Sequence, residues 1–513
     1  MNRIMTFASA SLLLTLCGCG GSSFSPRGTL HEGAHTLARV QNTCDEGSGD
    51  CSVSSPRQHP PERIPPSRAD LAYDNCSGGI LDQGAPLGQV GPDLVITNST
   101  CTVDGTKGPY NFHNVYIFGS GNQTGALVFS NATMDFYAAN VLVQNQGVLQ
   151  AMGIGAANGG QVLTIHLYGS SGDPGVICKK LDSGNLVDDD TCGVPATVWG
   201  SNQMGGDYPS SCTKTSQLSP PTTLPGNVDD CFYQYMKLDG TDNNAYFGHK
   251  VLAVSYGGTL NFSGYKGAQG GNDSDPSVTG SSWMRLNATL QGGGTETSMQ
   301  VSGMPADWRT NDKIVVTSTD YLPGHSEQLQ IASVSGSTVN LNASTPVQNP
   351  HWGQTYSLAN VPCNAPAGTT DCQIGPALLT PTQDPSTRSS DMRAAVGLLS
   401  RSIRVVSDGA QANTPLPGSG PEGYFGGHSL ARQGFLSYQV QGVEFYQMGQ
   451  GGAIGHYPVH FHMARIVPTG TYVKDSAVWD SMTRFITIHS TQRVTLARNV
   501  GYKSIGHGFY LED

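Results

Sequence analysis

Apolar residues in this chain come in short bursts. From about residue 71 to 170 the runs NVYIFGS, GALVFS, ANVLVQNQGVLQ and QVLTIHLYGS are rich in Val, Ile, Leu, Tyr and Phe and are bounded by Gly or Asn. Short runs of that kind, punctuated by turn residues, predict β-strands. No stretch beyond the first twenty residues keeps a helical apolar period. The segments VQNQGVL (143–149) and VSYGGTL (254–260) share a V-x-x-x-G-x-L skeleton, which predicts two strands joined at a tight Gly turn. After residue 390 the pattern becomes strand-plus-turn units: GVEFYQMG, DSAVWDS and ARNVGYKS. The last two align at an offset of about 22, Val478 with Val500 and Asp480 with Tyr502, a period expected for one coil of a parallel β-helix. Asn499 is expected at a turn of such a coil. The chain is therefore predicted to be all-β.

The N-terminus changes the picture of where the protein acts. MNRIMTFASASLLLTLCGCGGSS has a basic residue, Arg3, then an apolar run from Ile4 to Leu16, the layout of a secretory signal. LCGCGG resembles a bacterial lipobox with Cys19 as the lipidated residue, and a plain signal cleaved nearby is the alternative. Acyl chains on Cys19 would anchor the protein to a bacterial membrane, at the outer membrane or cell surface. Residues 20–70, with Gly/Ser first and then SPRQHPPERIPPSR, read as a tether.

Composition narrows the partners. Of 513 residues 13% are charged, Gly numbers 66 and Pro 30, as expected of a turn-rich β-protein with a polar, uncharged surface. The net charge of −11 argues against nucleic acid and general affinity for polyanions. An acidic polysaccharide would need a local basic or neutral groove. Twelve Cys include two in the signal, and the even remainder, with no CxxC spacing, predicts disulfides in an oxidising compartment. Cys44/Cys51 and Cys363/Cys372 are near neighbours, whereas Cys178, Cys192, Cys212 and Cys231 fall in or near a loop-rich stretch at 171–240. VDDDTCG (187–193) offers oxygens to calcium, or is a solvated acidic loop.

The candidate chemistry concentrates near the C-terminus. GHYPVHFHMAR (455–465) holds His456, His460 and His462; ITIHST adds His489, and GHGFYLED adds His507, Glu512 and Asp513. His460 and His462, two apart on a strand, point to one side with Phe461 to the other, so their imidazoles can converge on a metal or a proton. Offsets of 27 and 18 residues to His489 and His507 do not imply a strict ladder. The carboxylates of Glu512 and Asp513 add an acid, a nucleophile or a hard ligand. The other reading is that these histidines stack and hydrogen-bond in a polar ladder, as Asn does. Arg401 and Arg404, flanking Ser402 and Ile403, are expected on one strand face and are the candidates for a sugar carboxylate. Tyr457 and Trp479 are candidates for stacking on a sugar ring. His456 and His428 read as loop and turn residues, Trp308 as a plug at a strand end, and Asp320, Tyr321, His325 and Glu327 as a polar loop.

VLVQNQGVLQAMG through LTIHLYGS, with KVLAVSYGGTLNFSG, resembles the G-eight domain. MPADWRTNDKIVVTSTDYLPGHSEQ, RAAVGLLSRSIRVV, VEFYQMGQ, YPVHFH, ITIHST and NVGYKSIGHGFYLED follow in the order found in the CEMIP-type cell-surface hyaluronidase family. The resemblance covers roughly residues 85–513. It implies a G-eight domain followed by a right-handed, pectin-lyase-like parallel β-helix, and dealings with hyaluronan or a related glycan. His456 stands where the family would have a basic residue such as Arg. The organisation then expected is a signal at 1–19, the tether at 20–70, a G-eight-like domain at 71–270 with the Cys-rich insertion at 171–240, a β-rich connection at 271–390, and coils at 391–513 that end inside the β-helix. The expected activity is depolymerisation of a hyaluronan-like polysaccharide at His460, His462, His489, His507, Glu512 and Asp513, with Arg401, Arg404 and Tyr457 holding substrate. Hydrolysis and elimination both remain open, as does a divalent metal, either calcium or a His-bound transition metal. Binding without catalysis, or a purely structural role, is the alternative.

Overall fold

A computed structural model describes, with short interruptions, residues 73–193, 247–357, 389–408 and 425–512. The expectations for Cys19, the tether, Asp513, Tyr321, Cys44, Cys51, Cys212, Cys231, Cys363 and Cys372 lie outside the described residues. Among those described, strands account for nearly all regular structure, and the one helical turn is Pro323–His325. None forms a helix long and apolar enough to cross a membrane.

Three parallel sheets of nine, eight and seven strands run the length of the molecule, a parallel β-helix. The stack is longer than the 391–513 expected for the coils: apart from the hairpin Lys179–Asp182 and Asn185–Asp188, strands between Tyr73 and Gly264 belong to the same three sheets as those between Ile403 and Glu512. The echo seen in the sequence is one coil lying on another. Asn140–Val143 pairs with Val251–Val254, and Gly147–Ile154 with Thr259–Gly264, Val148 opposite Thr259. Farther on, Ala477 pairs with Val500 and Trp479 with Tyr502, so the coil offset is 23 and not 22. A turn between strands absorbs the extra residue without disturbing the register of either.

Stacking brings like side chains together. In the nine-stranded sheet the column Ile96, Ile117, Val143, Val254, Ala431, Phe461, Ile488 runs along the interior, each residue opposite the next. All but Ile488, which is partly buried, are within 2% of full burial. Burying a large apolar side chain contributes roughly 1.5–3 kcal/mol, so each coil stabilises its neighbours. Polar ladders add to this: Asn140 donates to Asn114 at 2.7 Å, and Asn114 to Asp93 at 3.1 Å. Asn499 clamps a turn, donating to the carbonyl of Val473 and accepting from the amide of Ser476.

Between the coils is inserted a six-stranded, mainly antiparallel sheet, Trp283–Leu398, with its own core around Trp308, Ile314, Leu329 and Val396. Trp308 is buried and donates to the carbonyl of Ser281. Val315 and Leu399 of this region pack on Ala477, Trp479, Val500 and Tyr502 of the seven-stranded sheet. Disulfides join Cys76 to Cys101 across adjacent coils and Cys178 to Cys192 within the insertion. Such bonds place the chain in an oxidising, extracytoplasmic compartment.

Candidate functional site

Four neighbouring strands of the nine-stranded sheet build the site: His428–Arg432, Val459–Ile466, Ile486–Gln492 and Phe509–Glu512. Register sets Arg432, His462, His489 and Glu512 in one column, and Leu430, His460, Thr487 and Tyr510 in another. Phe461 between the two histidines enters the core, which turns both imidazoles to the outer face. The strand is irregular just after His462: the register shifts before Arg465, and Met463 and Arg465 take positive φ. Bulges of this kind re-aim side chains and recur beside functional sites. Thr491 bridges the irregularity, accepting from the Ala464 amide and donating to the His489 carbonyl.

Ring nitrogens of His460, His462 and His489 all lie within 4.8 Å of one another. His460 is 1% exposed. Its Nδ1 lies 2.7 Å from the carbonyl oxygen of Gly455. Since a carbonyl only accepts, Nδ1 carries the proton and Nε2 keeps its lone pair. That Nε2 is buried with no protein partner. His462 and His489 approach through their Nδ1 atoms at 3.1 Å. Burial is the largest cause holding His460 and His462 well below the ordinary histidine range, with the neighbouring histidines and Arg432 or Arg484 acting the same way. Neutral imidazoles with free lone pairs are what a transition metal requires. An orienting carbonyl on the far nitrogen is the usual companion of such a ligand.

The structure gathers some of the residues singled out in the sequence and scatters others. Tyr457 is 5% exposed and packs edge-on against His460, ring centres 4.9 Å apart. Glu512 sits one strand beyond His489 and accepts from Arg484 Nη1 at 2.8 Å. His507 is exposed and stacks on Tyr510, outside the triad. Arg401 does not face a ligand: it is 1% exposed and donates to the carbonyls of Asp475, Leu398 and Ser400 and to Ser282 Oγ. Nor does it share a strand face with Arg404: it precedes strand Ile403–Ser407, which carries Arg404, and is buried where the inserted sheet meets the coils. Arg404 makes a two-pronged pair with Glu444, which also accepts from Trp479 Nε1. Trp479 is buried at the interface with the inserted sheet. In the acidic stretch considered for calcium, Asp188 is bound by Lys179, and Asp189 accepts from the Gly193 amide. Asp320 pairs with His325, and Glu327 with His351.

Sequence reasoning overlooked Arg484 and Arg432 beside the triad and read His428 as a turn residue, whereas it opens strand His428–Arg432. The ring of His428 is fully buried, stacks face to face on His456 at 4.3 Å, and has both nitrogens without a protein partner. No spacing in the chain announces these neighbours, because the coils that align them differ in length.

Residues 424–513 match the CEMIP beta-helix family model, and so contain all four strands of the site. Over these residues the chain is similar to the CEMIP-type β-helix. A G8 domain-containing protein of Dictyostelium discoideum is 31% identical over 270 residues, 52% of this chain and 14% of that protein. The human cell migration-inducing and hyaluronan-binding protein is 27% identical over 239 residues, 45% of this chain and 15% of its own length. Human fibrocystin-L is 27% identical over 262 residues, 45% of this chain. Alignment with these relatives spans only 6% to 15% of their length.

Proposed function

We propose that this protein binds an acidic, hyaluronan-like polysaccharide outside the cytoplasm and shortens it at the His460–His462–His489 triad. The observation that carries this reading is His460: its Nε2 is a buried, unpartnered lone pair, and its imidazole has a ring nitrogen within 4.8 Å of ring nitrogens on two further histidines. The name of the human relative, hyaluronan-binding, supports the choice of glycan. Lipidation at Cys19, after removal of a leader at 1–19, is the proposed route to the membrane, with 20–70 as the spacer.

The three imidazoles fit a divalent transition metal, whose bound form supplies Lewis acidity toward a sugar oxygen. The protein's own part is distinct. His460 is fixed by Gly455 and cannot turn, so it presents Nε2 in one direction. Tyr457 closes one side of that ring. Glu512, the register partner of His489, is our candidate to deliver a proton to a glycosidic oxygen or to draw one from C5 of a uronate. One contact favours a second reading. The 3.1 Å approach of His462 to His489 is also the length of an N–H···N hydrogen bond, as a non-catalytic glycan-binding ladder would have.

The deciding experiment incubates purified protein with hyaluronan and other polysaccharides, with and without chelator, following polymer size and near-ultraviolet absorbance together. Shortening that vanishes in His460→Ala makes the triad the reaction centre, and a rise in absorbance selects elimination over hydrolysis. Glycan binding that persists in His460→Ala, with no shortening by the wild type, selects the ladder.

A further inference from the structure

Arg484, just before strand Ile486–Gln492, is held between two aromatic rings. Its guanidinium carbon lies 4.4 Å from the ring centre of Tyr457 and 3.7 Å from that of Tyr510. Contacts at this range favour the cation through the ring quadrupole and fix the guanidinium plane whatever else it binds. Its Nη1 donates to Glu512 Oε2 at 2.8 Å, a single-pronged contact. The comparison with Arg404 is informative, since there two nitrogens grip both oxygens of Glu444 and Trp479 holds that carboxylate as well. That pair is locked, whereas Glu512 is attached to Arg484 by one arm.

Glu512 is also the register partner of His489. Adjacent strands lie about 4.8 Å apart and paired residues leave the sheet on the same side, so the carboxylate that Arg484 holds leaves the sheet beside His489. Resting on the reading that the triad takes a divalent cation, we propose that Arg484 is an exchangeable anion site for the carboxylate of an acidic sugar. Glu512 occupies the site in the metal-free protein. A dication at the triad attracts Glu512 and releases the guanidinium, still oriented by Tyr457 and Tyr510, to take a ligand carboxylate in two-pronged fashion. The two sites are then linked, and by reciprocity each ligand raises the affinity for the other by the same factor.

The test uses the full chain, zinc and glucuronate as probes, and calorimetric titration of each in the presence and absence of the other. For the wild type, zinc is expected to raise glucuronate affinity about tenfold, and glucuronate to raise zinc affinity equally. Glu512→Gln is expected to bind glucuronate at the raised level with or without zinc. Arg484→Gln is expected to lose glucuronate while keeping zinc, and Arg484→Lys, which retains charge without the fork, to lie between. Should Arg484→Gln fail to fold, the Glu512→Gln titrations decide alone. Coupling of wild-type size in Glu512→Gln, or zinc uptake with no coupling in the wild type, overturns the exchange and leaves the triad reading standing. A wild type that takes up no zinc overturns both.

Discussion

His462 and His489 bring their Nδ1 atoms within 3.1 Å across two adjacent parallel strands, although 27 residues separate them along the chain. With His460 beside them, the two form a cluster of imidazole nitrogens on the outer face of a coil whose inner face is core.

Substituting one member should therefore act on metal uptake before it acts on the fold. His489→Ala is expected to weaken zinc or cobalt binding by at least about a hundredfold, beyond the 10–100-fold usual for groups that merely support a ligand. Its urea midpoint should stay close to that of the wild type, since His489 is only half-buried. Equal metal affinity in the two proteins would remove the triad from consideration as a metal site.

Arg401 should behave in the opposite way. Its four hydrogen bonds join the coils at Asp475 to the inserted sheet at Leu398 and Ser282. Arg401→Met leaves those carbonyls unpaired and the nearby buried Asp307 without its cation, with an expected loss of about 3–5 kcal/mol. Chemical denaturation measures this. A near-neutral result would mean that the remaining contacts of the inserted sheet, among them Val315 and Leu399 on the coils, suffice to hold it.

Stability should fall in mild acid. Burial holds His249 down at about 4, with Lys250 contributing, and holds His428 well below the ordinary value. In the unfolded chain both titrate near 6.5. As pH falls from about 6.5 towards 4 the unfolded state takes up protons that the folded state refuses, so stability is full above that window and declines through it. For His249 the decline amounts to roughly 3 kcal/mol. Urea titrations at pH 7.5 and 4.5 compare the wild type with His249→Phe, which should show the shallower dependence. Identical slopes would exonerate His249.

Gly147 begins the strand that the sequence echo foretold. A Cβ there would run into the carbonyl of Ile117 on the neighbouring coil. Gly147→Ala is expected to cost about 1–3 kcal/mol, as overpacking of a close-packed interior does, read from the thermal midpoint. No change would show that the coils have room to separate.

The sequence by itself determined the all-β class and the repeated coil, because strand grammar is local. Alternation, bounding Gly and Asn, and the V-x-x-x-G-x-L echo each report on a few residues and their nearest turn. It also determined that His460 and His462 share a side, since two-residue periodicity is a property of the strand alone. It could not determine which residues from other coils meet them. Arg432, His489 and Glu512 share a column with His462, yet the chain between them is 30, 27 and then 23 residues long. Turns and insertions of unequal length separate coils without altering sheet register, so spacing in sequence carries no record of stacking. The same reason misplaced Arg401, whose burial depends on an inserted sheet that returns to pack on the coils. Local patterning chose the strands; the hydrogen-bonded stacking of the coils chose the site.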